Sequence, residues 1–404
     1  MTLIKSRFLL TVLGVVSVPG WSCQPAEEAR LAAATRDSAG IGIVDNETPA
    51  WRPGDEWTVA ADSFVAVQLG NDTATMDISV AIRLGNGTFV VADDASKTLR
   101  WIGSDNSSTT GRLGDGPGEF RSFSLVAATS LDSLIVWDGT ARRASVFHAG
   151  KYIRAFTLKA PADWVAPSIR GALANGRLLS VPLPVPLEES PAGVHRPDVP
   201  AGVFTPAGDL AIELGRFPSA AVEYRPSTTR GAVLRLLVPF GPSTIVAAGG
   251  DWIVVGDNAR YELFVYDAAG QMTRIVRLPS AAEPVTEKDL ERELQRRLEG
   301  APPIEEIRAG IRASFRSTPA AERQPHFDRV LVDQSNYIWI RHRHSSEGSQ
   351  WDVVRPDGAW LGGVRTPAGL EVQQIGEDFV LGLWANAEGV NEVRSYRLRR
   401  GRSP

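Results

Sequence analysis

Asn86 to Phe120 reads NGTFVVADDASKTLRWIGSDNSSTTGRLGDGPGEF, and the fold turns on this stretch. Asn86-Gly87 is a strong short turn signal, and it opens a β-branched run from Thr88 to Asp93 whose Phe89, Val90 and Val91 suit burial. The polar link Asp94 to Lys97 leads to a second strand, Thr98 to Ile102. A third, Thr109 to Leu113, follows the polar turn Gly103 to Ser108. The exit, Gly114-Asp-Gly-Pro-Gly-Glu-Phe120, carries too much Gly and Pro for helix or central strand. Ile78 to Leu84 supplies a preceding strand, which makes four. A small sheet with one apolar face cannot bury that face alone and needs neighbours of its own kind.

Outward from this stretch the pattern recurs. Apolar second strands end at Asp93, Asp138, Asp257, Arg341 and Trp384, with a further one at Leu178 to Leu183. Asp93 to Asp138 and Arg341 to Trp384 are steps of 45 and 43 residues. The intervals between are multiples enlarged by insertions. Third strands run into Gly-bearing turns at Ala144 to Gly150, Gly202 to Gly208, Leu263 to Gly270 and Trp351 to Gly358. A four-stranded unit of about 40–50 residues is the signature of a propeller. The expectation is therefore an all-β fold, a six-bladed β-propeller spanning 51–404. A β-sandwich has strands at similar spacing but predicts no alignment of like residues at one period.

Residues 1–23 read as an export signal, with Lys5 and Arg7 before an apolar core from Phe8 to Val18 that is too short to span a bilayer. Cys23 follows at once and is the single cysteine, the expected site of lipidation. The alternative is an ordinary cleaved signal and a secreted protein. Residues 24–50, rich in Ala, Glu and Asp, read as a tether. Trp57 to Ala60 and Phe64 to Leu69 are two strand candidates, and the second is expected to close the last sheet as its outer strand. The repeats divide as about 76–120, 121–163, 164–222, 232–280, 326–366 and 369–401.

Two insertions stand out. Pro184 to Ala201 is Pro-rich and enlarges the third unit. Residues 281–325, between the fourth and fifth units, read as a helical hairpin. Thr286 and Asp289 form a capping box, Leu290, Leu294 and Leu298 follow at helical spacing, and Gly300 stops the helix. Pro302-Pro303 open a second helix with Ile304, Ile307, Ile311 and Phe315 on one face. The hairpin is expected to pack on the propeller rim, the sharper reading being a lid or partner-binding element. The tail from Arg397 is expected to fray.

In an antiparallel meander the links from strand two to three, and the exits to the next unit, lie on one face. Asp93, Asp138, Asp257, Arg341 and Trp384 end there, and both insertions fall there, so this face is the expected ligand-binding surface at the mouth of the central channel. The aspartates are also residues that commonly bond the backbone of a following turn. His342 and His344 are spaced to point one way on a strand, yet no carboxylate stands nearby in the pattern to complete a metal site. No G-x-S-x-G, Cys nucleophile or phosphate-cradling loop is present. The formal charge is −4, with 43 basic and 47 acidic residues mixed along the chain, which argues against nucleic-acid binding. The eleven Trp are expected in the sheet core.

The six-unit pattern, the run Gly114 to Phe120 and the opening Arg36-Asp-Ser-Ala-Gly-Ile-Gly-Ile-Val-Asp45 together resemble the six-bladed β-propeller lipoproteins of bacterial envelopes, related to NHL-repeat and TolB-like propellers. The resemblance implies an exported, envelope-tethered chain, held to the membrane by a lipid anchor alone. Such propellers include non-catalytic ligand- or protein-binding modules, the leading expectation here. They also include gluconolactonase-like hydrolases and streptogramin-lyase-like and amidating-lyase-like proteins, which use a metal or polar constellation around the channel. The expected partner is an envelope protein, a small molecule or a glycan. No catalytic residue or cofactor is assigned, and a divalent cation belongs only to the enzyme reading.

Overall fold

The computed structural model describes residues 33–67, 77–104, 106–184, 192–226, 233–342, 348–385 and 391–401. The export signal, Cys23, His344 and part of the Pro-rich insertion lie outside the described residues.

The chain is nearly all β. It begins with β1 (Ala33–Ser38), β2 (Ile41–Asn46) and β3 (Thr58–Ala66). A first sheet follows: β4 (Ile78–Arg83), β5 (Phe89–Asp93), β6 (Thr98–Ile102) and β7 (Ser107–Thr110). The second comprises β8 (Leu125–Ala128), β9 (Ser133–Asp138), β10 (Arg143–His148) and β11 (Lys151–Phe156). Next come β12 (Ser168–Ala172), β13 (Leu178–Val181), β14 (Gly193–His195), β15 (Asp198–Phe204) and β16 (Leu210–Pro218); all but β14 form the third sheet. β14 instead joins β17 (Val222–Pro226) and β18 (Val233–Leu237) in a three-stranded satellite. The fourth sheet holds β19 (Thr244–Gly249), β20 (Trp252–Asp257), β21 (Glu262–Asp267) and β22 (Met272–Arg277). The helices α1 (Glu287–Glu299) and α2 (Glu305–Ser317) come next. A fifth sheet has β23 (Arg329–Val332), β24 (Ile338–Arg341), β25 (Gln350–Val354) and β26 (Trp360–Arg365). The sixth has β27 (Leu370–Ile375), β28 (Phe379–Ala385) and β29 (Asn391–Arg399), with β3 as its fourth strand.

The first strands of these sheets touch in a closed circuit, β4 to β8, β12, β19, β23, β27 and back to β4. This is a propeller-type arrangement. Each sheet buries its faces against its neighbours, as the alternation of apolar residues demands. Phe120, fully buried, sits between the first two sheets with Phe123 and Phe147 at centroid distances of 4.9 and 5.9 Å. Burying such a ring stabilises by about 1.5–3 kcal/mol. Gly171 marks how tightly the first strands approach: a Cβ there would lie 2.9 Å from the backbone nitrogen of Ala248 on β19. Trp51, Trp57, Trp101, Trp137, Trp164, Trp339 and Trp351 are buried, as sheet core.

Five local expectations need correction. Residues 33–46 are not part of a tether. They form a hairpin whose β2 pairs in parallel with β22, and Val44 is buried against it. The apolar run Ile41-Gly-Ile-Val44 outweighs the polar composition around it. β3 is one strand rather than two, pairing with β29 from Arg399 opposite Thr58 to Arg394 opposite Ala66, across a bulge. The strand after Ile102 starts at Ser107, because Gly103 N–H bonds Asn106 O at 2.8 Å and closes the turn early. Lastly, the tail does not fray at Arg400, whose Nη2 donates to the buried Asp333 Oδ2 at 2.7 Å. The fourth unit, expected from 232, starts its sheet at Thr244, since Val233–Leu237 pair with Val222–Pro226 instead.

α1 opens as its sequence dictates. Thr286 Oγ1 accepts from Asp289 N–H at 3.2 Å, and Asp289 Oδ2 accepts from Thr286 N–H at 3.0 Å. Such a box is worth about 1 kcal/mol. Leu294 and Phe315 are the buried apolar residues of the helix pair. Arg225 of β17 bonds Ser317 at the end of α2, so the helices stand against the satellite sheet.

Candidate functional site: the channel mouth and its insertions

The closed circuit encloses a channel of about 880 Å³ lined by all six first strands. One face of the ring carries the short links from first to second and from third to fourth strands. The other carries the ends of the second strands, the satellite sheet and the helices. The channel wall is mostly Val, Ala and Gly, with Asp328 and Arg329 toward this second face, Arg170 along β12 and Asp333 toward the short turns.

The five residues singled out in the sequence lie on this face as second-strand ends. The three aspartates are turn supports. Asp93 Oδ1 accepts from the backbone N–H of Asp77 and Ala95 at 3.0 and 3.1 Å, and Ser96 Oγ donates to Oδ2 at 2.5 Å. Asp138 accepts from Arg121 N–H at 2.6 Å, Ala141 N–H at 2.9 Å and Ser122 Oγ at 2.9 Å, tying the exit of the first sheet to the second. Asp257 takes Ala259 N–H at 3.1 Å and a bidentate pair from Arg196 at 2.8 and 3.1 Å. Arg196 belongs to the insertion between β13 and β15, so Asp257 fastens that insertion to the fourth sheet. Arg341 donates to Asp328 at 2.7 Å and Glu371 at 3.0 Å, with its guanidinium carbon 5.8 Å from the Trp351 ring centre. Trp384 carries the Arg394 guanidinium over its ring at 3.4 Å. Among the described residues no hydrogen bond joins any two of the five.

What the sequence did not reveal is a cluster around Asp352. This aspartate on β25 is buried. Its Oδ2 accepts from Tyr261 Oη at 2.5 Å and His342 Nε2 at 2.6 Å, and its Oδ1 accepts from Trp360 Nε1 at 3.0 Å. The expectation that no carboxylate stands near His342 is therefore wrong. Antiparallel pairing of β24 with β25 folds Asp352 back beside it. Tyr261 comes from the preceding sheet, and such a contact leaves no trace in local spacing. Its ring lies between His326, stacked at 6.0 Å, and His342, edge-on at 5.9 Å.

The electrostatics follow from burial and these partners. The hydrogen bond to Asp352 raises the His342 pKa against the opposing effect of burial. Burial first, and the Asp352 charge second, push the Tyr261 hydroxyl well above its ordinary value. His326 is lowered, first by burial and then by His342. Arg341 is raised by the charges of Asp328 and Glu371, which outweigh the burial that would lower it. Among the described residues no group of three His, Cys, Asp or Glu is placed to hold a metal ion. Among them, too, no helix is long and apolar enough to cross a membrane.

No protein-family model matches the chain, and no curated protein matches it. Solved structures do share its general course. A member of the DUF4221 family from Bacteroides vulgatus is 10% identical over 86% of this chain and 100% of that one, with a TM-score of 0.46. A protein of Bacteroides fragilis described as exported is 10% identical over 89% of this chain and 100% of its own, also at 0.46. Virginiamycin B lyase from Staphylococcus aureus is 10% identical over 85% of this chain and 99% of its own, at 0.39. At such scores the likenesses carry no functional argument. The propeller-type assignment rests on the six sheets and the circuit of their first strands.

Proposed function

We propose that the six sheets are the blades of a closed six-bladed propeller, with the helical hairpin inserted between the fourth and fifth. We further propose that the protein is an exported, non-catalytic binding module of a bacterial envelope, tethered through lipidated Cys23. It takes a small molecule, a glycan or an envelope protein at the face bearing the insertions. The observation that carries this reading is the placement of every enlargement, β14, β17–β18 and α1–α2, on the face around the charged mouth of the channel. Rigid blades with elaborated links on one side only are the usual plan of a binding scaffold. The aspartates of that face are committed to turns and to Arg196, which leaves the insertions and the mouth to make the contacts. The test is a thermal-shift screen of the mature chain, with hits repeated on Asp257→Asn and Arg341→Gln. Hits that weaken in these variants support the reading. Hits that ignore both, with unchanged folding, count against it.

A second reading, a hydrolase or lyase of the propeller type, is favoured by one observation. His342 is half-buried on the same face and held on a buried aspartate, the arrangement that orients an imidazole for acid–base work. Turnover of a lactone and aryl-ester panel that disappears in His342→Gln, with the fold retained, would move the assignment to this reading.

A further inference from the structure

Beside the channel, between the third and fourth sheets and beneath the satellite, lies a second cavity of about 370 Å³. Two arginines line it, Arg170 of β12 and Arg235 of β18, and among the described residues that line it there is no carboxylate. Neither guanidinium has a hydrogen bond or ion pair among the described residues, and Arg235 Nε is buried with no partner. The neighbouring cation, Arg196, is already neutralised by Asp257 and so offers a contrast. Arg170 lies at a bulge in β12 with its side chain exposed, reaching the channel as well as this cavity, while Arg235 is half-buried. The rest of the lining is largely apolar and includes Leu183, Val199, Phe217 and Ile245. Leu183, in this lining, is 48% exposed.

Two unpaired positive charges facing one partly apolar hollow favour an anion there, because arginine cannot shed its proton. Guanidinium groups hold carboxylate and phosphate oxygens by paired N–H bonds. The volume falls at the lower end of the range for small-molecule sites. We propose that this cavity binds an amphipathic anion, with a carboxylate or phosphate head on Arg170 and Arg235 and an apolar body of about eight carbons along the walls. The inference rests on the reading of this face as a binding surface and names the class of ligand it takes.

The experiment is titration calorimetry of the full chain with octanoate, octyl phosphate, octanol and inorganic phosphate. One of the two octyl anions is expected to bind at a single site, at least tenfold tighter than octanol or inorganic phosphate, and the tighter of the pair shows whether the head is carboxylate or phosphate. Arg170→Gln and Arg235→Gln should each weaken that binding at least tenfold without lowering the melting temperature, and Arg170→Lys should lose less than Arg170→Gln. Equal binding of octanol, or affinity unchanged in both glutamine variants, overturns the proposal. Neutral and cationic compounds run alongside separate the two levels of argument. If only these bind, and Asp257→Asn or Arg341→Gln weakens them, the anion site falls while the binding face stands. If nothing binds at this face, both fall.

Discussion

On one face of the ring the links between first and second strands are two to five residues long. On the other, a single link holds β14, another holds β17 and β18, and a third holds both helices. The charges of the two faces differ in the same sense. On the short-turn face Asp333 is buried, and all its bonds go inward. It accepts from Ser335 and Tyr337 N–H at 2.8 and 2.9 Å, Trp339 Nε1 at 2.9 Å and Arg400 Nη2 at 2.7 Å. Arg400 in turn lies over Trp57, 4.4 Å from its ring centre, so the segments leading into β3 and out of β29 are held at the fifth sheet. On the insertion face, Arg170 and Arg235 have no such partner among the described residues. Asp333 and Arg400 on one side thus satisfy each other, whereas on the other side Arg170 and Arg235 stand unpaired beside pairs such as Arg196–Asp257. The first is a clamp on the fold, and the second is the condition for a ligand.

The sharpest way to break this contrast is to undo the clamp. Arg400→Ala leaves Asp333 buried without its cation, and the expected loss is about 3–5 kcal/mol of unfolding free energy by denaturant titration. A loss under 1 kcal/mol would mean that the short-turn face is not what holds the ends together. Asp138→Ala comes next. It strands two backbone N–H groups and Ser122 Oγ, costing about 1–3 kcal/mol, and it should show as faster amide exchange in residues 121–124 and 139–141.

His342 gives a smaller effect with a sign. Its folded pKa is raised above the unfolded value of about 6.5. Its stabilisation is therefore complete below that value and is lost as pH rises through the folded value. The melting-temperature advantage of wild type over His342→Gln should shrink as pH rises above the unfolded value, and an advantage that grows with pH would contradict the Asp352 pairing. The smallest effect is expected in the satellite, where Leu234 is exposed. Leu234→Ser should change unfolding free energy by less than about 0.5 kcal/mol, the range of surface positions, as read by the same denaturant titration.

The fold was legible because its signals are local and repeated. The turn at Asn86-Gly87, the strand ends at Asp93, Asp138 and Asp257, and the cap at Thr286 each announce themselves within a few residues. Composition misled at Ala33–Asn46, where Ile41, Ile43 and Val44 in a polar stretch are enough to pair it with β22. The site was legible only as a face. Asp352 meets Tyr261 across 91 residues and Arg235 lines one cavity with Arg170, and no spacing rule encodes such juxtapositions of separate sheets. The aspartates that did recur at one period are repeated for the same reason that they are not the site: each closes a turn of the scaffold.

The central claim is that ligand binds on the insertion side of the ring. Hydrogen exchange with and without a compound that raises the melting temperature tests it most directly. Protection confined to residues 192–201, 233–246 and the mouth around Arg170 and Asp328 is the predicted result. Protection of the short turns at 84–88, 173–177 and 333–337, with the insertions unchanged, would contradict it.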